Sequence, residues 1–452
     1  MNLSQVFAFG SRRASLTGFE LAPLSHVLLP KLRYHHKLVL SILIVMGIVA
    51  LLLIASQDLQ TLQIESQHGA EDPLFPSYIA ALLGAQATGG NRYDVLSNGD
   101  QIFPSMLAAI QNARRRVSFE TYIYEKGVVG AEFTDALEAA AKRHVKVDLV
   151  VDALGSKWIP KEWTQRLEDA GVVIGIFGTP KWYAPRALNN RTHRKILIVD
   201  GRIGFTGGVG LADHWLGHAE DKLHWRDMMV RVEGPAARLM EGAFDENLIE
   251  THRPVTPIVD PPPDIPPTPR DSAMVLRSSP TGGSSDLKRL YLLSIAAARR
   301  TLDICSPYFI LDESSNWALS HAVERGVRVR ILVEGDMTDA KPVKYSSRDA
   351  YEHLLQSGIS IYEYQPTMMH TKAMVVDGVW SVFGSANFDN RSLETNDEMN
   401  VVVSDTDLAA RLRAEFEHDL QSAKKLDLDE WRRRSPLEKA RERFWSYFGE
   451  LF

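Results

Sequence analysis

The longest apolar stretch runs from Leu38 to Ala55, eighteen nearly all hydrophobic positions without a charge. That is long enough to cross the hydrocarbon core of a bilayer with little tilt. Beyond residue 88 the pattern changes to short apolar runs alternating with amphipathic ones. Asn98-Gly99-Asp100 predicts a turn, and apolar positions at helical spacing follow it up to Arg116. Val117 to Tyr124 reads as a strand, Phe133 to Ala141 as an amphipathic helix, and Val145 to Val151 and Ile196 to Val199 as buried strands. After a proline-rich stretch the order recurs: Leu287 to Arg300 helical, Leu302 to Phe309 strand, Trp317 to Glu324 helical, Val327 to Val333 strand, then the apolar run Ala373 to Val376. Arg143-His-Val-Lys-Val147 and Arg325-Gly-Val-Arg-Val329 mark equivalent points of the two series.

Alternating strands and helices imply an α/β sandwich in each half. The predicted organisation is α/β: two duplicated sandwich halves, residues 88–253 and 271–425, related by a pseudo-twofold. Residues 254–270 join them, and the eight prolines between Pro254 and Pro269 make that linker stiff and extended. Before the halves lie a segment 1–37 and the predicted transmembrane helix 38–55, and after them a tail 430–452.

Composition and charge change the picture in three places. At 452 residues, 45% hydrophobic and 24% charged, the chain has room for two domains or one large duplicated one. A net charge of -6 argues against a general nucleic-acid binder, though it leaves room for a local basic channel. The lone Cys305 excludes an intrachain disulfide framework and a cysteine-rich zinc site, and its apolar setting predicts a buried structural thiol. A 37-residue leader and the lack of a clear small-residue cleavage site favour an uncleaved anchor over a signal peptide. Arg12, Arg13, Lys31, Arg33 and Lys37 precede the run, and no Lys or Arg follows it until Arg92. The positive-inside bias therefore puts the N-terminus in the cytoplasm and the body outside, in a bacterium on the periplasmic face of the inner membrane.

The candidate chemistry sits beside the two short strands. The first copy reads His193-Arg194-Lys195, four residues, Asp200, six residues, Gly207-Gly208. The second reads His370-Thr371-Lys372, four residues, Asp377, six residues, Gly384-Ser385-Ala386-Asn387, about 180 residues later. Side-chain alternation puts His193 with Lys195, and His370 with Lys372, on one face. It puts Asp200 and Asp377 on the other face at the strand end, suited to holding a turn or a neighbouring backbone. Juxtaposed, the halves would bring two imidazoles and two ammonium groups around one anion. A phosphate diester needs that set: a nucleophile, a proton donor for the leaving alcohol, and cations for the equatorial oxygens.

The duplicated HxKxxxxD followed by GG or GS-x-N resembles the phospholipase D superfamily over roughly residues 88 to 425. Ser118-Phe-Glu-Thr-Tyr-Ile-Tyr124, Trp225-Arg226-Asp227 with Val232-Glu233-Gly234-Pro235, Ser306-Pro307-Tyr308-Phe309 and Phe388-Asp389-Asn390-Arg391-Ser392 are most similar to bacterial cardiolipin synthases. The resemblance implies His193 as the nucleophile that becomes a phosphohistidine and His370 as general acid, then base. It marks Lys195, Asp200, Lys372, Asp377 and Asn387 as further catalytic positions, with Ser385, Gly207 and Gly208 in support. It also implies an acidic residue about thirty positions downstream that orients each histidine. Asp227, 34 after His193, and Glu398, 28 after His370, fit that role. The first motif departs from the pattern, with Gly208 and Gly210 where the second has Ser385 and Asn387. Either the halves are chemically unequal, or a backbone amide or a neighbour such as Thr206 replaces the lost amide donor.

The implied activity is a membrane-anchored phosphatidyltransferase with phosphatidylglycerol as donor and a second lipid alcohol as acceptor, free of cofactor and metal. Hydrolysis by the same site to phosphatidic acid, and a periplasmic nuclease on the same fold, are the alternatives. His214, His218 and His224 lie in a loop-like stretch and read as solvated or headgroup-contacting rather than as metal ligands. Glu120 and Tyr122 share a strand face and are candidates for lining the pocket. In the tail, Leu437, Ala440, Phe444, Phe448 and Leu451 form an apolar stripe beside Trp431-Arg432-Arg433-Arg434. It reads either as a terminal helix packed on the domain or as an interfacial helix on anionic lipid, since Phe444, Trp445, Tyr447 and Phe452 suit a headgroup boundary.

Overall fold

The computed structural model describes residues 36, 38–43, 45–47, 61–179, 190–255, 266, 271–279 and 286–449. Residues 1–61 and 62–452 form two compact units. In the first, the described residues between 36 and 47 are helical. Among the described residues no helix is long and apolar enough to cross a membrane. Ile44 and positions 48–55 of the predicted span lie outside the described residues, as does almost all of the proline-rich linker.

The second unit holds two mixed sheets. The first contains β1 (Arg92–Ser97), β2 (Arg116–Thr121), β3 (Lys146–Asp152), β4 (Val173–Phe177), β5 (Ile196–Val199), β6 (Ile203–Gly207) and β7 (Met228–Glu233). The second contains β8 (Ser272–Ser278), β9 (Thr301–Cys305), β10 (Arg328–Glu334), β11 (Ser360–Tyr364), β12 (Ala373–Val376), β13 (Trp380–Gly384), β14 (Glu398–Ser404) and β15 (Ala423–Lys425). Their strand orders are β1-β7-β6-β5-β2-β3-β4 and β8-β14-β13-β12-β9-β10-β11, with β15 added beyond β11. In each, three strands run parallel and the other core strands join antiparallel. One topology therefore occurs twice.

Burial follows from the sequence of the short strands. Ile196-Leu197-Ile198-Val199 is apolar at every position and lies in the middle of its sheet, where both faces are covered. Leu197 and Val199 enter the core beneath helices Asn98–Asn112 and Val128–Lys142, while Ile196 and Ile198 enter a separate core between the sheets. In β12, Met374 and Val376 face the outer core of the second half and Val375 the shared one. Full burial of each Leu or Ile contributes roughly 1.5–3 kcal/mol relative to exposure. The shared core also takes Met240, Ala243 and Phe244 of helix Pro235–Glu250 and Leu408, Ala409 and Leu412 of helix Thr406–Leu420.

Element limits shift slightly from those predicted. The turn expected at Asn98 is the first turn of helix Asn98–Asn112, entered through Asn98 at φ 60. The strand expected to reach Tyr124 stops at Thr121, where the Thr121 hydroxyl bonds the Ile123 carbonyl and the chain turns. Cys305 is a buried free thiol against Met369, as its apolar setting predicts.

Candidate active site

Backbone hydrogen bonds stitch the halves together at the motifs. The His193 amide donates to the Asp397 carbonyl at 2.9 Å, and the Asp397 amide to Arg191 at 2.9 Å. The second motif repeats the pattern, with His370 donating to Arg226 and Arg226 to Met368, both at 2.8 Å. Each motif histidine is thereby tied to the residue that precedes the other half's acid. The carboxylates are consequently crossed. His193 Nδ1 lies 2.8 Å from Glu398 Oε1, and His370 Nδ1 lies 3.0 Å from Asp227 Oδ2. This corrects the expectation that each acid orients the histidine upstream of it in its own half.

With Nδ1 held by a carboxylate, the free position of each ring is Nε2, which fixes tautomer and orientation together. Arg194 locks the first motif in place. It is fully buried and reaches the Glu398 carbonyl at 3.2 Å, the Ala243 carbonyl at 2.6 Å and the Glu246 carboxylate at 2.8 Å. Lys195 Nζ donates to the His193 carbonyl at 2.8 Å, and Lys372 Nζ to the His370 carbonyl at 2.6 Å.

Asp200 and Asp377, carried in the motif as catalytic, do other work. Asp200 accepts from the amides of Arg114, Arg115 and Arg116, and Asp377 from those of Arg299, Arg300 and Thr301. Both sit at positive φ, 54 and 51, in the turn at the far end of the motif strand. They anchor the start of the neighbouring strand, which is a structural role and a correction to the catalytic assignment.

Burial sets the electrostatics. It depresses His193 to about 4, with Glu398 opposing and Lys195 adding, so the ring is neutral at physiological pH. It carries His370 well below its ordinary value, with Lys372, Lys195 and His193 adding. It brings Lys195 down to about 7 and Lys372 to about 8. Burial also raises Asp227 to about 7 against the pull of Lys372. For Glu398 the cost of burial is outweighed by His193, Lys195 and the Ser385 hydroxyl at 2.5 Å, which hold it below the usual carboxylate range. Each lysine acts on the other half's histidine, so the four groups share one site.

The departure in the first motif has a physical explanation. A Cβ at Gly208 would collide with the Asp227 carboxylate and come within 2.6 Å of the His370 carbonyl oxygen. The hydroxyl that Ser385 supplies to Glu398 thus has no counterpart there. Trp215 Nε1 donates to Asp227 Oδ2 at 3.0 Å instead. A Cβ at Gly210 would meet Ile123 Cβ at 3.0 Å and the Trp215 ring at 3.1 and 3.2 Å, so the glycine clears space for the indole beside Ile123. The Thr206 hydroxyl, the suggested substitute for the lost amide donor, is buried and bonds neither Asp227 nor His370. Trp215→Phe keeps the ring and removes the donor. We expect kcat to fall about 10-fold or more with KM nearly unchanged and the melting temperature held, the loss of one hydrogen bond to a charged group. Steady-state kinetics beside a thermal melt checks this, and an unchanged kcat would sink it.

Other predicted residues divide clearly. Asn387 is buried with its Oδ1 unpartnered. Tyr122 stands edge-on to His193 with centroids 5.4 Å apart, whereas Glu120 is fully buried and bonds Thr192 and Asn247 away from the pocket. Gly207 ends β6 against Met228. His214 is sandwiched by Trp215 and Trp225 at 4.1 and 4.0 Å, and His218 and His224 face Glu220 and Asp221. Among the described residues no group of three His, Cys, Asp or Glu could hold a metal ion. Trp215 was not named from the sequence, and Trp225 at 5.5 Å from His370 and Tyr308, which mirrors Tyr122 at 6.4 Å from His370, were named only within the similar stretches and given no site role. The Gly210 departure was the available signal for Trp215.

Comparison with known proteins supplies a context for this geometry. The family model described as "Cardiolipin synthase, PLD-like domain" matches residues 106–246 and 291–420. A probable cardiolipin synthase of Bacillus subtilis strain 168 is 31% identical over 366 residues, covering 78% of this chain and 71% of that protein. Cardiolipin synthase of Geobacillus sp. strain WCH70 is 34% identical over 343 residues, with coverage of 75% and 68%. Cardiolipin synthase A of Pseudomonas putida strain GB-1 is 33% identical, with coverage of 76% and 71%. Among solved structures, phosphatidylserine synthase of Haemophilus influenzae Rd KW20 superposes with a TM-score of 0.65 at 16% identity, over 83% of this chain and 100% of that one, a likeness of fold.

Proposed function

The chain belongs to the phospholipase D-like cardiolipin synthase family, and we infer from that premise how its site transfers a phosphatidyl group. It is a phospholipase D-type phosphatidyltransferase that makes cardiolipin, with phosphatidylglycerol as the donor. The observation that carries the mechanism is the pair of histidines, each held at Nδ1 by a carboxylate from the opposite half, with a lysine beside each.

Neutral His193 attacks phosphorus through Nε2. The bond from phosphorus to the glycerol oxygen breaks, and His370 gives that oxygen a proton, leaving a phosphatidyl group on His193 and free glycerol. Neutral His370 then takes the proton from a hydroxyl of a second phosphatidylglycerol. That oxygen attacks phosphorus, the P–N bond returns its electron pair to His193, and cardiolipin leaves. Two phosphatidylglycerols become one cardiolipin and one glycerol. The side chains support this order: His193 is neutral beside an ionised Glu398, whereas Asp227, raised to about 7 by burial, keeps a proton against the His370 ring near neutrality. Lys195, Lys372 and the side-chain amide NH2 of buried Asn387 suit the non-bridging phosphate oxygens as donors. Water in place of the lipid alcohol would give phosphatidic acid from the same intermediate.

The apolar run 38–55 and the Lys/Arg asymmetry around it support a single-pass anchor in a bacterial cell membrane with the catalytic body on the outer face. The test is mass spectrometry of lipids from the purified full chain in phosphatidylglycerol vesicles with EDTA. Cardiolipin with one glycerol released per molecule is expected. Phosphatidic acid as sole product would replace transfer by hydrolysis.

The depressed lysines give a pH signature. In the free enzyme their positive charge is lost as pH rises through about 7 for Lys195 and about 8 for Lys372. Phosphate capture therefore weakens in that direction. On the acid side activity persists until His193 protonates near 4. We expect kcat/KM to be bell-shaped with its alkaline limb between pH 7 and 8 rather than near the ordinary lysine value. A flat profile up to about pH 10 would contradict it.

A further inference from the structure

The last helix is docked with its polar side inward. Pro436–Ser446 opens on a full capping box between Ser435 and Glu438, and its one buried residue is Glu442. That carboxylate takes Arg434 at 2.5 Å and Arg348 at 3.1 Å. Arg443 pairs with Asp349 at 3.0 Å, and Arg441 lies 4.0 Å over the Tyr345 ring. The helix is thus held on Lys341–Asp349 by charge. Its apolar stripe faces the other way, with Leu437 81% exposed, Phe444 55% and Tyr447 76%. A surface helix in water buries such a stripe and exposes its charges.

The first half has a matching outcrop. Trp158, 67% exposed, and exposed Leu154 stand in the turn that follows β3. Ser156 Oγ in the same turn donates to the Tyr122 carbonyl at 2.9 Å, and the Tyr122 ring stands against His193. In the second half Tyr308 stands against His370 and bonds Asp339, and the amide of the next residue, Phe309, donates to Ser347 on the helix that carries the C-terminal one. The first outcrop is therefore bonded to the tyrosine beside its own half's histidine, and the helix that carries the second is bonded to the residue next to the corresponding tyrosine.

Charge selects the occupant. Between Trp431 and Tyr447 there are six Lys or Arg and two Glu, in a chain whose net charge is -6. Arg432, Arg434 and Arg443 pair with Glu352, Glu442 and Asp349, and Arg433, Lys439 and Arg441 form no ion pair among the described residues. We propose that the C-terminal stripe, with Leu154 and Trp158, is the surface by which the catalytic body lies on an anionic phospholipid bilayer, the site opening between them onto the headgroups. This rests on the phospholipid-substrate reading given above. Aromatic and aliphatic side chains with flanking arginines suit the boundary between headgroups and acyl chains.

The test uses the full chain reconstituted in phosphatidylglycerol vesicles, spin-labelled singly at Tyr447→Cys, Trp158→Cys or, as a control, Lys142→Cys on an outer helix; buried Cys305 does not compete for the label. Labels at 447 and 158 should collide with oxygen far more than with an aqueous nickel chelate, while the label at 142 stays aqueous. Labels at 447 and 158 as aqueous as the control overturn the proposal. So does a label at 447 broadened by a second copy in detergent without lipid. In parallel, Phe444→Glu with Phe448→Glu should cut turnover on vesicles about 10-fold or more, yet change turnover on monomeric short-chain phosphatidylglycerol by less than about 2-fold. Equal turnover on vesicles also overturns it. If wild-type protein makes no lipid product from either substrate while both labels embed, the transferase reading fails and the surface stands.

Discussion

Replacing His193 with alanine is expected to lower phosphatidyl transfer by about 10⁴-fold or more, because in the proposed mechanism it removes the atom that attacks phosphorus. His193 is held from three sides, by Glu398 at Nδ1, by the Asp397 carbonyl at its amide and by Lys195 at its carbonyl. Its loss leaves that scaffold in place, so the variant should fold and bind lipid. The companion variant His370→Ala separates the two roles. With a phosphatidyl ester of p-nitrophenol the leaving group needs no proton, so the first step proceeds without His370. The second step needs its base and stalls. We expect one equivalent of p-nitrophenol per chain, then arrest, with intact-mass spectrometry at neutral pH showing protein heavier by one phosphatidyl group. A burst in His193→Ala instead would reverse the two roles.

The second large effect runs against what the motifs suggest by eye. Gly208→Ser makes the first motif read like the second, where Ser385 sits at the same place. By analogy the change should be harmless or helpful. The geometry says otherwise. The Ser385 hydroxyl reaches a glutamate, whereas at Gly208 the shorter Asp227 approaches so closely that even a Cβ would collide with its carboxylate. The His370 carbonyl blocks the other side. The serine would push Asp227 off Trp215 and His370 together, and displacing a catalytic group by about 1 Å can cost roughly 100-fold. Overpacking would also cost about 1–3 kcal/mol of stability. Kinetics and a denaturant melt on Gly208→Ser measure both, and activity within a few-fold of wild type would refute the close packing.

Sequence carried the local features and missed those that depend on how the halves meet. The His–Lys spacing and the buried strands Ile196–Val199 and Ala373–Val376 were legible because alternation along a strand is a local property. The same alternation put Asp200 and Asp377 at the strand end, and the three backbone amides that each binds explain why they sit there. The crossing of Asp227 and Glu398 was not legible. It follows from backbone pairing of 191–193 with 397 and of 368–370 with 226, contacts between residues far apart in the chain. Proximity in sequence pointed each acid at the wrong histidine. Trp215 escaped notice for a related reason: the vacancy at Gly210 was visible, but what filled it lay five positions on, through a turn.

The crossed carboxylates also constrain how such a chain can change over generations. After a duplication, one copy is ordinarily at liberty to drift while its twin keeps the original trade. Here neither copy has that liberty, since each histidine borrows its orienting acid from its sibling. On the proposed mechanism, a lesion at Asp227 would disarm His370 in the other half, and a lesion at Glu398 would disarm His193. Selection therefore sees the two halves as a single inherited unit, and a gene severed at the linker would encode two fragments that regain activity only by reassembly.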